Sequence, residues 1–331
     1  MQKFLVIQTA FIGDVVLATA LLEKIHAHFP DGQIDMLVRR GNESLLAGHP
    51  FLHKVLVWDK KNRKYSNLLS LVKTIRKNRY DRVINLQRFA ATGLLTTFSG
   101  SKQKIGFNKN PFSYFFTKKI KHQLAAGSHE VERNNLLIES FTDSSFTKPK
   151  LYPSENDVTA IQPYVSSPYV TVSPASVWFT KQYPLEKWII FLNQLPTLYN
   201  VYLLGGPQDV SFCNVLKQAS SNSKITVLAG NLGFLSSAAL MKNAAMNYTN
   251  DSAPLHFASA VNAPVTAIFC STVPAFGFYP LSDISHVVQT KTPLTCKPCS
   301  IHGYQACPLS HFNCAHTIET SQLLNTVNEH A

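Results

Sequence analysis

The segment Asn250-Asp251-Ser252-Ala253-Pro254-Leu255-His256 joins an apolar run, Ala244–Tyr248, to a helical pattern, Leu255–Val261. The run reads as the end of a buried strand, and the pattern as the helix that follows it. A strand end, an Asp-Ser pair and a helix start put backbone N–H groups and the positive end of a helix dipole where an anion can sit. Asp and Ser also suit a plain helix cap, so the segment alone admits both readings.

The strand-to-helix unit repeats on either side. Tyr169–Ser173, Val201–Leu204, Ile225–Leu228 and Pro264–Phe269 read as strands. Between and beyond them Pro184–Leu195, Asp209–Ala219, Ser236–Asn243 and Ile318–Val327 read as helices. The first half shows the same rhythm. Lys3–Gln8, Gln33–Val38, Lys54–Trp58 and Arg82–Leu86 are strands, and Val15–Phe29, Asn67–Arg79, Phe89–Phe98 and His129–Phe141 are helices. Continuous apolar strands separated by helices indicate parallel sheets covered on both faces. Thr142–Ser167 is rich in Ser, Thr, Pro and Lys and reads as a connection, with a short strand at Lys150–Tyr152. The expected organisation is an α/β chain of two Rossmann-like domains, 1–150 and 168–331, with 151–167 as linker and the terminal helix packed back on the first domain. In such sheets ligands bind beyond the carboxyl ends of the strands.

Charge separates the halves. Residues 1–150 hold 24 Lys+Arg against 11 Asp+Glu, and residues 151–331 hold 7 against 8. A basic half beside a neutral one points to an anionic partner: nucleic acid, a lipid surface or a phosphorylated substrate. No apolar run approaches the ~20 residues of a membrane-spanning helix, and the N-terminus carries no secretory h-region, so a cytoplasmic protein is expected. The absence of GxGxxG and GxxxxGK[ST] excludes a dinucleotide fingerprint and a P-loop.

Four loops at strand ends carry candidate chemistry. Gly13-Asp14 follows the first strand, where Asp14 is either a first-turn charge or a base. Ser176 and Lys181 follow the first strand of the second half, and Lys181 is one of only seven basic residues there. Gly205-Gly206-Pro207-Gln208-Asp209 ends the next strand, and Asp209 can cap a helix or accept a sugar hydroxyl. The fourth loop is Asn250–His256. Lys60, Lys61, Arg63 and Lys64 open one basic cluster. A second, from Lys102 to Lys121, is interleaved with Phe107, Phe112, Tyr114, Phe115 and Phe116, a mixture that suits a membrane interface or nucleic acid. Cys296, Cys299, Cys307 and Cys314 have a C-x2-C-x7-C-x6-C spacing that admits a structural metal site or free thiols.

Taken together these motifs resemble the lipopolysaccharide heptosyltransferases of glycosyltransferase family 9. The resemblance covers nearly the whole chain. It is carried by Gly13-Asp14, Gly106-Phe107, His129-Glu130-Val131-Glu132-Arg133-Asn134, Ala175-Ser176 with Lys181 and Pro184, Gly205-Gly206-Pro207, Asp251-Ser252-x-x-x-His256, and Cys296-x-x-Cys299. It implies a GT-B fold, two Rossmann-like domains facing a central cleft. It also implies an inverting, metal-independent transfer of heptose from ADP-heptose to the lipid A-Kdo inner core at the cytoplasmic face of the inner membrane. No cofactor and no nucleic acid are expected.

The resemblance assigns Asp14 as general base. Ser176, Lys181, Gly205, Gly206, Gln208, Asp209, Asp251, Ser252 and His256 fall at donor-binding positions. Gly13, Lys60, Lys61, Arg63, Lys64 and Arg88 are expected to bind the acceptor, with peripheral membrane contact. This chain departs from the family pattern at Gln8, Val177 and Ala253. The alternatives are a related transferase using another nucleotide sugar or glycan acceptor and, more remotely, a basic nucleic-acid-binding protein.

Overall fold

The computed structural model describes residues 1–62, 64–123 and 127–328. The chain divides into two compact units, Met1–Tyr152 and Pro153–Ala331. In the first, strands β1 (Lys3–Ile7), β2 (Gln33–Arg39), β3 (Leu52–Trp58), β4 (Arg82–Asn85), β5 (Gln103–Phe107) and β6 (Lys118–Ile120) alternate with helices. These helices are α1 (Ile12–His28), α2 (Lys64–Asn78), α3 (Ala90–Thr97) and α4 (Glu130–Asn135). The strands are all parallel and lie in the order β3-β2-β1-β4-β5-β6. β1 is apolar from Phe4 to Ile7 because helices cover both of its faces; all four residues are fully buried.

The second unit opens with α5 (Glu155–Ile161) and continues with β7 (Tyr169–Ser173), α6 (Leu185–Gln194), β8 (Asn200–Leu203), α7 (Val210–Ala219), β9 (Ile225–Val227) and α8 (Phe234–Lys242). Then follow β10 (Met246–Asn250), α9 (Ala253–Ala260), β11 (Val265–Phe269), β12 (Ser285–Gln289), α10 (Asn313–His316) and α11 (Ser321–Asn328). Its parallel sheet runs β12-β11-β10-β7-β8-β9. Counted from its own first strand this is the order 3-2-1-4-5-6, the same winding as the first unit and that of the Rossmann fold. The order reverses between β1 and β4 in one sheet and between β7 and β10 in the other. Those two points are where ligands are expected.

Several local expectations need correction. β5, β6 and β12 (QKIGF, KKI and SHVVQ) lack the apolar runs of the inner strands and were not foreseen; each lies at or next to a sheet edge. Lys150–Tyr152 forms no strand. The long helix expected over His129–Phe141 stops at Asn135 and is followed by a single 3-10 turn, Glu139–Phe141. The connection is not structureless. Ser154 caps α5 by accepting from Asp157 N at 3.3 Å, and α5 packs on α8. The terminal helix, expected to pack on the first domain, is seated in the second unit against α6, β10 and β12, where Leu323 and Val327 join the core.

In that core Phe191 of α6 lies edge-on to Tyr248 and Trp188, with ring centroids 4.5 and 5.8 Å away. Replacing Phe191 with Ala removes a fully buried ring and leaves a cavity beside the β10 strand. We expect a loss of about 3–5 kcal/mol, read as a lower urea midpoint for the unfolding transition of the second unit followed by tryptophan emission.

Candidate functional site

At the reversal point of the second sheet the loops after β7 and β10 are stitched together. Asn250 is fully buried; its Oδ1 accepts from Tyr183 N at 2.9 Å and its Nδ2 donates to Pro174 O at 2.7 Å. The next residue, Asp251, accepts from Lys181 Nζ at 2.7 Å and from Thr272 Oγ1 at 2.6 Å, both at Oδ2. The Lys181 and Asp251 side chains are largely withdrawn from water. Ser252 stands at the N-cap position of α9, yet its hydroxyl makes no capping bond and turns back to Asn250 O at 3.3 Å. The plain-cap reading therefore fails: Asp251 is committed to Lys181, and the first turn of α9 lacks a side-chain cap. A helix start of this kind suits an anionic oxygen.

Lys181 is held from behind. Thr180 exchanges hydrogen bonds with Tyr304, accepting from its N–H at Oγ1 (2.8 Å) and donating its own N–H to the Tyr304 carbonyl (3.0 Å). Gly303 sits at φ +81°, and a Cβ there would come within 3.2 Å of Lys181 Cγ. Ser271 Oγ donates to Thr180 Oγ1 at 3.0 Å, and Cys299 N to Ser271 O at 3.1 Å. The cysteine-bearing loop thus closes through its backbone on the loop that carries Lys181. Cys296, Cys299, Cys307 and Cys314 are free thiols, and among the described residues no group of three or more His, Cys, Asp or Glu side chains is arranged to hold a metal ion.

His256 lies one turn into α9, only 5% exposed, with Nδ1 unpartnered. Burial pushes its imidazole down to about 4, with Asp251 acting in the opposite sense and Lys181 in the same one. It is a neutral ring at pH 7. Ser176 is half-buried; its Oγ accepts from Trp178 N at 3.4 Å. On the neighbouring loop Asp209 is a turn cap, accepting from Gly206 N at 2.8 Å and from Gln208 Nε2 at 3.2 Å, while Gln208 itself is exposed.

In the first unit Asp14 occupies the first turn of α1 and accepts from Phe11 N at 3.2 Å. It also faces Glu130 of α4 and Arg39 of β2 electrostatically. Glu130 is buried and pairs with Arg133 at 2.7 Å; burial pushes its carboxyl up and Arg133 opposes the shift. Lys60 reaches across to the end of β1, donating to Thr9 O at 2.6 Å with its ammonium 4.8 Å above the Trp58 ring. Arg88, beyond β4, is exposed and lies over Phe89. Lys61 is exposed on a turn that Asp59 organises, accepting from Lys61 N at 2.9 Å. Arg63 lies outside the described residues, and Lys64 begins α2.

Sequence reasoning missed the amides at this edge. Gln8 is buried; its Oε1 accepts from Ala10 N and from Gln87 Nε2. A cation at that position would lose this amide pairing, which gives the departure at Gln8 a local reason. Thr9 Oγ1, Asn85 Nδ2, Gln87 Oε1 and His122 Nδ1 are buried and find no partner among the described residues. All four lie just beyond or at the carboxyl ends of β1, β4 and β6. Burial and the cations Lys109, Arg133 and Arg88 push His122 down to about 4. The signal available in the sequence was the position of Gln8, Thr9, Asn85 and Gln87 at strand ends, as it was for Ser271 and Thr272 after β11.

Two sheets with the same Rossmann winding, each presenting polar groups at its reversal point, are consistent with the GT-B fold, and the family match supplies the glycosyltransferase class. The chain belongs to glycosyltransferase family 9 (heptosyltransferase), whose family model matches residues 68–304. It is similar to lipopolysaccharide heptosyltransferase 3 of Escherichia coli strain K12, 29% identical over 279 residues that span 78% of this chain and 80% of that protein. Lipopolysaccharide heptosyltransferase 1 of Campylobacter coli is 22% identical over 99% of this chain and 98% of its own length. Among solved structures, Escherichia coli ADP-heptose lipopolysaccharide heptosyltransferase II shares the fold with a TM-score of 0.83 at 21% identity, over 99% of this chain and 98% of that one. Escherichia coli heptosyltransferase WaaC with ADP shares it with a TM-score of 0.77 at 18% identity, over the full length of both chains. Among the described residues no helix is long and apolar enough to cross a membrane.

The depressed His256 has a consequence for stability. The folded chain holds the neutral ring, so its contribution is fully present above pH 6.5 and is lost as pH falls from 6.5 toward 4. The full effect is on the order of 3 kcal/mol. Urea midpoints for the wild type should fall over that window, and His256→Asn should flatten the fall; an unchanged slope in the variant would remove His256 as its cause.

Proposed function

We propose that this protein transfers heptose from ADP-heptose to an anionic sugar of the lipopolysaccharide inner core, at the cytoplasmic face of the inner membrane. The observation that carries the reading is the Lys181–Asp251 pair set against the uncapped first turn of α9, at the reversal point of the second sheet. The ADP of the WaaC structure belongs to that relative, and family membership supports an ADP-sugar here.

The reaction breaks the bond between the anomeric carbon and the diphosphate oxygen, and ADP leaves with the electron pair. The acceptor hydroxyl attacks the opposite face of the sugar, so the configuration inverts. Asp14 takes the hydroxyl proton as attack begins, a role worth roughly 10²–10⁴-fold in rate. The remaining ammonium protons of Lys181, the Ser176 hydroxyl and the Ser252 and Ala253 N–H groups at the start of α9 receive the charge that develops on the diphosphate; Pro254 has no N–H, and the Leu255 N–H donates to Ser252 O. Asp251 holds the lysine ready, so less freedom is lost when donor arrives. His256, neutral and buried, supports this loop and is not the base. Gly205, Gly206 and Gln208 line the path beside it for the nucleotide. Lys60, Lys61, Arg63, Lys64 and Arg88 draw the phosphates and carboxylates of the acceptor toward Gly13 and Asp14.

Asp14→Asn should keep donor binding while turnover falls by at least ~10²-fold; near-normal turnover would exclude Asp14 as the base. Lys181→Ala should weaken ADP binding in calorimetry, and equal affinity would count against the phosphate role. Thermal-shift screening of ADP-, UDP- and GDP-sugars should raise the unfolding temperature for the ADP donor alone. A larger rise with a UDP- or GDP-sugar would reassign the donor and leave the transferase class intact.

A further inference from the structure

From Arg82 to His129 the chain carries eight Lys and Arg residues and not one Asp or Glu. Within this stretch the turn between β5 and β6 points two large aromatic side chains at solvent: Tyr114 is 82% and Phe115 56% exposed. These rings are not on a loose tip. Asn110 is buried and donates from Nδ2 to Gln87 O at 3.0 Å and to Phe89 O at 3.1 Å, while its Oδ1 accepts from Phe112 N at 2.9 Å. Ser113 Oγ donates to Asn108 O at 3.0 Å. Phe116 turns inward over Gly106, where any Cβ would meet its ring at 2.6 Å. The turn is therefore pinned on both sides, and the exposure of Tyr114 and Phe115 is built into it. The Asn110 bonds also fix Phe89, itself 56% exposed, to the same loop.

A lysine lies over one of the rings, and exposed lysines precede and follow the turn in sequence. Lys119 Nζ lies 5.9 Å over the Tyr114 ring, and Lys109 and Lys121 are exposed on either side. Edge-strand lysines on β6 have an ordinary use in blocking strand addition. That use does not account for aromatic rings held out into water beside them. A rigid aromatic tip beside exposed lysines, on a stretch of sequence that carries no carboxylate, matches an anionic bilayer surface: the rings settle at headgroup depth and the ammonium groups meet lipid phosphates.

We propose that the Ser113–Phe115 turn, with Phe89 and the lysines of β6, is the surface by which this protein docks on anionic membrane. The inference rests on the proposed lipid-linked acceptor for its purpose. Its test needs neither donor nor acceptor, so the two readings fail separately.

The full chain is to be sedimented with vesicles of phosphatidylcholine alone or mixed with phosphatidylglycerol. Binding should require the anionic lipid and fall steeply with salt. Tyr114→Ser with Phe115→Ser, and separately Lys118→Gln with Lys119→Gln, should each weaken it by roughly tenfold or more. Far-ultraviolet circular dichroism and the urea midpoint should be unchanged in both, which verifies that the variants fold. In Tyr114→Trp, the new indole should shift its emission to the blue on anionic vesicles, read as the difference from the wild type, whose Trp58 and Trp188 are buried and Trp178 half-buried. Equal binding to neutral vesicles, full binding by the aromatic variant, or an unshifted indole would each overturn the proposal. Tighter, equally variant-sensitive binding to a DNA duplex would overturn it in favour of nucleic acid.

Discussion

A largely buried ion pair sits where the strand order of the second sheet reverses, and the surrounding loops are arranged to make it tolerable. Removing one partner of such a pair leaves an uncompensated charge and typically costs ~3–5 kcal/mol. Asp251 is steadied by Thr272 as well as by Lys181. Lys181 is positioned by a 3-10 turn whose Thr180 is latched to Ser271 and Tyr304. Asn250 ties the β7 and β10 loops one residue earlier. These contacts converge from four segments distant in sequence, so the pair and the loops around it stand or fall together.

The first unit uses the same winding for a different electrostatic purpose. Its edge is lined by neutral amides, Gln8 with Gln87 and Asn110, and by buried polar atoms that lack protein partners. Unpartnered polar atoms are costly to keep buried, and they persist where a ligand's hydroxyls can satisfy them. Burial and then the nearby cations, which repel an imidazolium, keep His122 neutral. One sheet thus offers a paired charge beside a helix start, and the other a surplus of positive charge around polar groups.

Much of the architecture was legible because a doubly covered parallel sheet demands apolar strands. FLVI in β1, YVTV in β7 and VTAIF in β11 announce themselves. The outer strands were not legible: β6 reads KKI, and its strand character comes only from pairing with β5. A short edge strand gains its backbone bonds from a neighbour, and no periodicity records that. The helix expected through Phe141 likewise stopped at Asn135, although nothing in its residues demanded the break.

The sequence by itself determined the twofold βα rhythm, the contrast of charge between the halves, and the places where Gly13, Ser176, Gly205 and Asp251 fall at strand ends. Chain-local physics suffices for these, since burial pattern and turn chemistry act between near neighbours. Only the tertiary structure decided that Asp251 binds Lys181 instead of capping α9, that the Asp209 carboxylate turns back to the Gly206 N–H and does not cap α7, and that Gln8 finds an amide 79 residues away. The physical reason is that a hydrogen bond or ion pair has no signature along the chain. Its partner is chosen by which strand ends the sheet order brings side by side.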